Sequence, residues 1–112
     1  MPRFVGKSLA MQLILTGQTI AASRALQAGL VSEVVRVDRT VVRALEIAQR
    51  IAELPPIAVQ LAKVAVLASF ELPLREGLAH ERALVEKTFQ TEDRVEGLNA
   101  FLEKRNPRFI GR

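Results

Sequence analysis

The sequence predicts a mainly α protein with at most one short strand, near residues 30–37. Three observations predict it. Apolar residues recur at three- and four-residue spacing along most of the chain. Helix-start and helix-stop residues punctuate these runs. Only residues 30–37 are rich in β-branched side chains. The 112 residues, 49% of them hydrophobic, can build one modest core.

Phe4, Ala10, Met11, Ile14 and Leu15 fit a first helix. Thr16-Gly17 ends it, because glycine takes the left-handed conformation past a helix C-terminus without steric cost. Arg3 and Lys7 before the apolar run 9–15 loosely imitate a secretory leader, but Gln12 interrupts that run and the amphipathic pattern continues from Phe4. Residues 21–28 form a short second helix stopped by Gly29. Asp38 is read as the N-cap of a third, in which Val41, Ala44, Leu45, Ala48, Ile51 and Ala52 recur at helical spacing.

Pro55-Pro56 breaks the third helix, and Pro56 suits the first turn of a fourth running to about residue 70. Only Gln60, Lys63 and Ser69 relieve its apolar circumference, so a missing domain or another subunit is expected to cover it. It is shorter than the roughly 20 residues a helix needs to cross a bilayer, and no membrane role is expected. Pro73 starts a fifth helix carrying Leu74, Leu78, Val85 and Phe89. Thr91, followed by Glu92 and Asp93, caps a sixth with Val95, Leu98, Phe101 and Leu102 on one side. Asn106-Pro107 is expected to close it.

The chemistry the chain can carry is narrow. Without cysteine there is no disulfide framework or thiolate metal site, and a reducing compartment, cytoplasm or mitochondrial matrix, is the expected home. His80 is the only histidine, so triads and histidine-clustered metal sites lack a second member. Glu76, Glu81 and Glu86 are five apart and advance around the helix, which makes a charged outer face and not a catalytic pair. The six glycines are isolated, whereas a phosphate cradle needs several together.

A net charge of +4 and a pI near 10.3 suit an anionic ligand. Residues 101–112 hold Lys104, Arg105, Arg108 and Arg112 against Glu103 alone, so anion binding is sought there first. Residues 7–36 can also be weighed as a helix-turn-helix DNA reader. Its second helix offers only Ser23, Arg24 and Gln27 to bases, and no nucleic-acid partner is expected.

Val5-Gly6, Leu15-Thr16-Gly17, Ile20, Ala22, Ala25 and Gly29-Leu30-Val31 resemble, in order and spacing, the enoyl-CoA hydratase (crotonase) family just after its catalytic core. Pro55, Ala58, Lys63, Gly77-Leu78, Glu81, Phe89, Asp93, Glu96-Gly97 and Ala100-Phe101 are similar to that family's helical C-terminal region, and residues 101–112 to its usual terminus. One departure is Arg24, in the first turn of the short helix where an acidic residue is usual and better suits the helix dipole.

The resemblance implies the helical C-terminal, trimerisation portion of a crotonase-like fold. Residues 1–37 would resemble the end of the core, and residues 38–112 would form the oligomerisation and CoA-capping region. It implies a parent enzyme that hydrates a 2-enoyl-CoA to a 3-hydroxyacyl-CoA in fatty-acid degradation, with two backbone amides holding the thioester oxygen and two glutamates handling water and proton. All four groups lie upstream of the matching segment in the family, so no catalytic residue is assigned and these residues alone are expected to be inactive. The implied partners are an acyl-CoA substrate and either further copies, as a trimer or hexamer, or a missing N-terminal domain. No metal and no cofactor beyond the CoA thioester is implied. Phe101 and Lys104 match positions where the last helix packs on the adenine end of CoA, often that of a neighbouring subunit. The other readings are Phe101 as helix core with Lys104 solvated, and a non-catalytic helical oligomerisation module.

Overall fold

The computed structural model describes residues 1–112 and contains seven α-helices, one 3-10 turn and no strand. The chain forms two compact units, Met1–Arg43 and Ala44–Arg112.

In the first unit, α1 (Pro2–Val5) and α2 (Lys7–Thr16) divide the single helix expected over 4–15. Gly6 between them has φ 79° and ψ 163°, a region open only to glycine, so the helical path breaks there. The end of α2 is as expected. The Thr16 hydroxyl donates to the Gln12 carbonyl at 2.6 Å, and Gly17 is left-handed at φ 65°.

A six-residue helix, α3 (Ala22–Gln27), ends in a Schellman motif with Gly29 at φ 72°. Gly29 N–H donates to Leu26 O at 3.0 Å, and Leu30 N–H to Ala25 O at 2.9 Å. In so short a helix Arg24 belongs to the last turn as much as to the first, so the favourable C-terminal end of the dipole offsets the unfavourable N-terminal one.

Leu30 therefore completes the cap of α3, and the β-branched residues after it pair with no strand. Arg43 Nε holds this segment through Glu33 at 2.9 Å. Asp38 lies inside the 3-10 turn Val37–Arg39, and its carboxylate faces the Arg36 guanidinium at 3.1 Å. That pairing replaces the expected capping role. Ala10 and Ala25 are the buried residues of this unit.

From α4 (Thr40–Ala52) the chain enters the second unit, where Pro55 is extended and Pro56 opens α5 (Pro56–Ala68). α6 (Leu74–Thr88) packs against α5, and a largely apolar cleft of about 280 Å³ lies between them, lined by Val66, Leu72, Leu78 and Glu81 among others. No residue of α4 or α5 is buried, although both carry broad apolar faces. Leu84 and Ala100 are the buried apolar side chains of this unit. A chain that is half hydrophobic thus leaves most of its large apolar side chains exposed, which marks interaction surface more than a finished core. No single helix is long and apolar enough to cross a membrane; only Val37–Ala52 and Pro56–Ala68 together reach that length, and they are bent where they meet.

Candidate functional site

The last helix, α7 (Glu92–Glu103), and the nine residues after it form the region where the sequence concentrates its charge. Thr91 starts the helix as expected. Its hydroxyl accepts from Arg94 N–H at 3.2 Å and donates to Thr88 O at 2.8 Å, so one side chain joins the end of α6 to the start of α7.

Two carboxylates on α7 then capture the tail. Asp93 is 1% exposed; its oxygens accept from Ile110 N–H at 2.7 Å and Gly111 N–H at 2.9 Å, while its own N–H donates to Arg112 O at 3.2 Å. One turn on, Glu96 receives both terminal nitrogens of Arg105, at 2.6 and 2.9 Å, and Arg108 N–H at 2.7 Å. Arg105's fork, and after it the Arg108 amide, hold the Glu96 carboxyl well below its ordinary 4.5, at about 2. Arg105 also donates to Glu103; the hydrogen bonds to Glu96 first and Glu103 second raise its own pKa. Arg112 pairs with Glu92 at 3.2 Å. The Phe109 ring lies 3.5 Å from where a Cβ on Gly97 would stand.

These contacts end α7 before Asn106-Pro107, the point the sequence suggests. Lys104 adopts φ 54° and ψ 39°, the only positive φ outside glycine. Arg105 N–H then donates to Ala100 O at 3.0 Å and Lys104 N–H to Phe101 O at 3.3 Å, a second Schellman motif with lysine where glycine is usual.

The two residues singled out from the sequence therefore sit together at the end of α7. Phe101 is 79% exposed. Of the four tail cations, Arg105 and Arg112 are paired, and Arg108 stands in the field of Glu96; Lys104 has no carboxylate partner. A shallow cleft of about 390 Å³ lies beside them, lined by Glu92, Asp93, Glu96, Asn99, Arg105 and Arg108. Glu96 commits the Arg105 fork there, whereas Lys104, exposed and without a carboxylate partner, lies outside that lining and is open to an anion. His80 is half-buried on α6, away from any second histidine, and no group of three or more metal-ligating side chains occurs. Sequence reasoning missed Glu96 and the clamping role of Asp93. The available signal was charge complementarity between Glu92, Asp93 and Glu96 and the arginines at 105, 108 and 112.

The family model for enoyl-CoA hydratase/isomerase matches residues 1–112. The chain belongs to the enoyl-CoA hydratase/isomerase family. It is 50% identical over 110 residues to the 2,3-dehydroadipyl-CoA hydratase of Escherichia coli K12, covering 98% of this chain and 43% of that protein. It is 49% identical over 105 residues to the probable mitochondrial enoyl-CoA hydratase of Dictyostelium discoideum, covering 94% of this chain and 38% of that one. Among solved structures, the enoyl-CoA hydratase of Bacillus anthracis superposes with a TM-score of 0.94 at 44% identity, over 99% of this chain and 43% of that one. The fold is thus a helical portion of the crotonase fold, as the family resemblance implies. The chain spans about two fifths of the length of these enoyl-CoA hydratase relatives.

Proposed function

We propose that this chain supplies the helical C-terminal, subunit-contact and CoA-capping region of a 2-enoyl-CoA hydratase of fatty-acid degradation. That enzyme adds water across the double bond of a 2-enoyl-CoA to give the 3-hydroxyacyl-CoA. The observation that carries the reading is the pairing, at the end of α7, of an exposed aromatic ring, Phe101, with an uncommitted cation, Lys104. A flat apolar ring suits adenine and an ammonium suits its phosphates. Phe101 as helix core is disfavoured within this chain by its exposure.

In such a reaction, charge develops on the thioester oxygen and is held by preorganised backbone donors, while carboxylates move the protons. None of those groups is assigned to these 112 residues. Their part is to bind and cover the adenosine end, far from the reacting carbons, and contacts of that kind act on ground state and transition state alike. The exposed apolar faces of α4 and α5 support association with further copies, as a trimer or hexamer, or with an N-terminal catalytic part. The cytoplasm or mitochondrial matrix is the compartment we assign.

The test pairs the intact mass of the protein isolated from its source with hydration of a short 2-enoyl-CoA by the same preparation. Hydration by a species heavier than 12.4 kDa supports the proposal. A species of 12.4 kDa that self-associates, hydrates nothing and is not stabilised by CoA supports instead a non-catalytic helical oligomerisation module, which the exposed faces also suit.

A further inference from the structure

We infer that Glu96 is a positioning residue for the Phe101–Lys104 pair: its carboxylate fixes the turn that follows α7, and through that turn the direction in which Lys104 leaves the backbone. The inference rests on the CoA-contact reading above and deepens it.

Lys104 is held in a conformation that L-residues rarely adopt, so contacts around it must hold it there. Its two Schellman hydrogen bonds are local and also form in turns that fray. Arg105 also reaches Glu103 and the Asn106 carbonyl, contacts as local as the turn itself; the hydrogen bonds that reach back along α7 converge on one side chain. Glu96 grips the side chain of Arg105, the next residue after Lys104, and the main chain of Arg108, four residues beyond it. The competing conformation is plain from the sequence, in which nothing before Asn106-Pro107 stops a helix. Without Glu96, α7 can run on and carry Lys104 out of its left-handed turn. Asp93 does not duplicate this function, because it anchors residues 110 and 111 and leaves 104–108 untouched. Phe101 lies within the regular helix, so it keeps its place in either conformation.

The experiment measures affinity for CoA and for 3′-dephospho-CoA on the intact protein, in the unsubstituted form and in F101A, K104A, E96A, E96Q and E96A/K104A. A loss of stability weakens both ligands equally, whereas misplacing Lys104 weakens CoA more. E96A is expected to lower CoA affinity about fivefold, the cost of ordering one long side chain on binding, and to erase the preference for CoA over its dephospho form. E96Q, which still accepts from Arg108 N–H, is expected to recover part of both. In the K104A background E96A is expected to add no further loss. If K104A removes the preference but E96A leaves it intact, the positioning role is overturned and the CoA reading stands. If F101A and K104A leave CoA affinity unchanged, or the unsubstituted protein takes up no CoA, the CoA reading falls and this inference with it.

Discussion

The main-chain amide of Gly111 donates to Oδ2 of Asp93 at 2.9 Å, eighteen residues back along the chain. A carboxylate in the first turn of a helix ordinarily serves the free amides of that helix. Asp93 instead serves the returning tail, taking the amides of Ile110 and Gly111 together.

Asp93→Ala is expected to lower stability by about 3 kcal/mol, since each hydrogen bond to a buried charged acceptor contributes about 1.5–3 kcal/mol. Asp93→Asn keeps one acceptor oxygen and should lose less. Urea titration followed by circular dichroism checks both, and equal midpoints for all three proteins would refute the clamp.

Acid should loosen the tail over a defined window. The folded carboxyl of Glu96 sits at about 2 against an ordinary 4.5, so folding favours its ionised form. Its contribution is complete above pH 4.5 and is lost as the pH falls towards about 2. The thermal midpoint of the unsubstituted protein is expected to fall more steeply across that window than that of Glu96→Gln, which cannot titrate. Parallel curves would contradict the assignment.

Lys104→Gly should separate stability from binding. Glycine removes the left-handed strain at φ 54° and is expected to add about 0.5–1 kcal/mol. The same change deletes the cation and should weaken CoA binding. A midpoint that falls would mean that the lysine stem contributes packing of its own.

Two glycines should respond in opposite directions to alanine. At Gly97, inside α7, a new Cβ would stand 3.5 Å from Phe109 Cε1, an ordinary contact, and helix propensity then favours alanine by about 0.5–1 kcal/mol. At Gly111 the φ of 77° penalises any side chain, and a Cβ would meet Pro56 Cγ at 3.4 Å, so a loss of about 1–2 kcal/mol is expected. Thermal melts of Gly97→Ala and Gly111→Ala read the two signs directly.

The helices were legible where their signals are local. Thr91 reads as a cap and acts as one, Pro56 opens α5, and Gly17 and Gly29 stop their helices in left-handed turns. The misreadings have separate causes. Gly6 breaks a helix because of its backbone angles, yet a lone glycine in an amphipathic pattern ordinarily passes. Asp38 has the composition of a cap, but Arg36, two residues away, takes its carboxylate. Lys104 turns left-handed through a contact between Glu96 and Arg105, nine residues apart, which no window of helical periodicity detects. At the site, Phe101 and Lys104 came from family resemblance, whereas for Asp93 and Glu96 the sequence offered charge complementarity with the tail arginines but not the return of the tail that turns them into a clamp.

Asp93 and Glu96 both grip main-chain amides, and this shapes how the tail can evolve. A peptide N–H is the same whatever side chain accompanies it, so positions 108 and 110 can drift through most of the amino-acid alphabet without releasing the clamp. Proline, which has no N–H to offer, is the forbidden letter at both. In a deep mutational scan, tolerance would therefore be lopsided, with an intolerant pair of acids on the helix facing two permissive tail positions, 108 and 110, at which proline is the disruptive substitution.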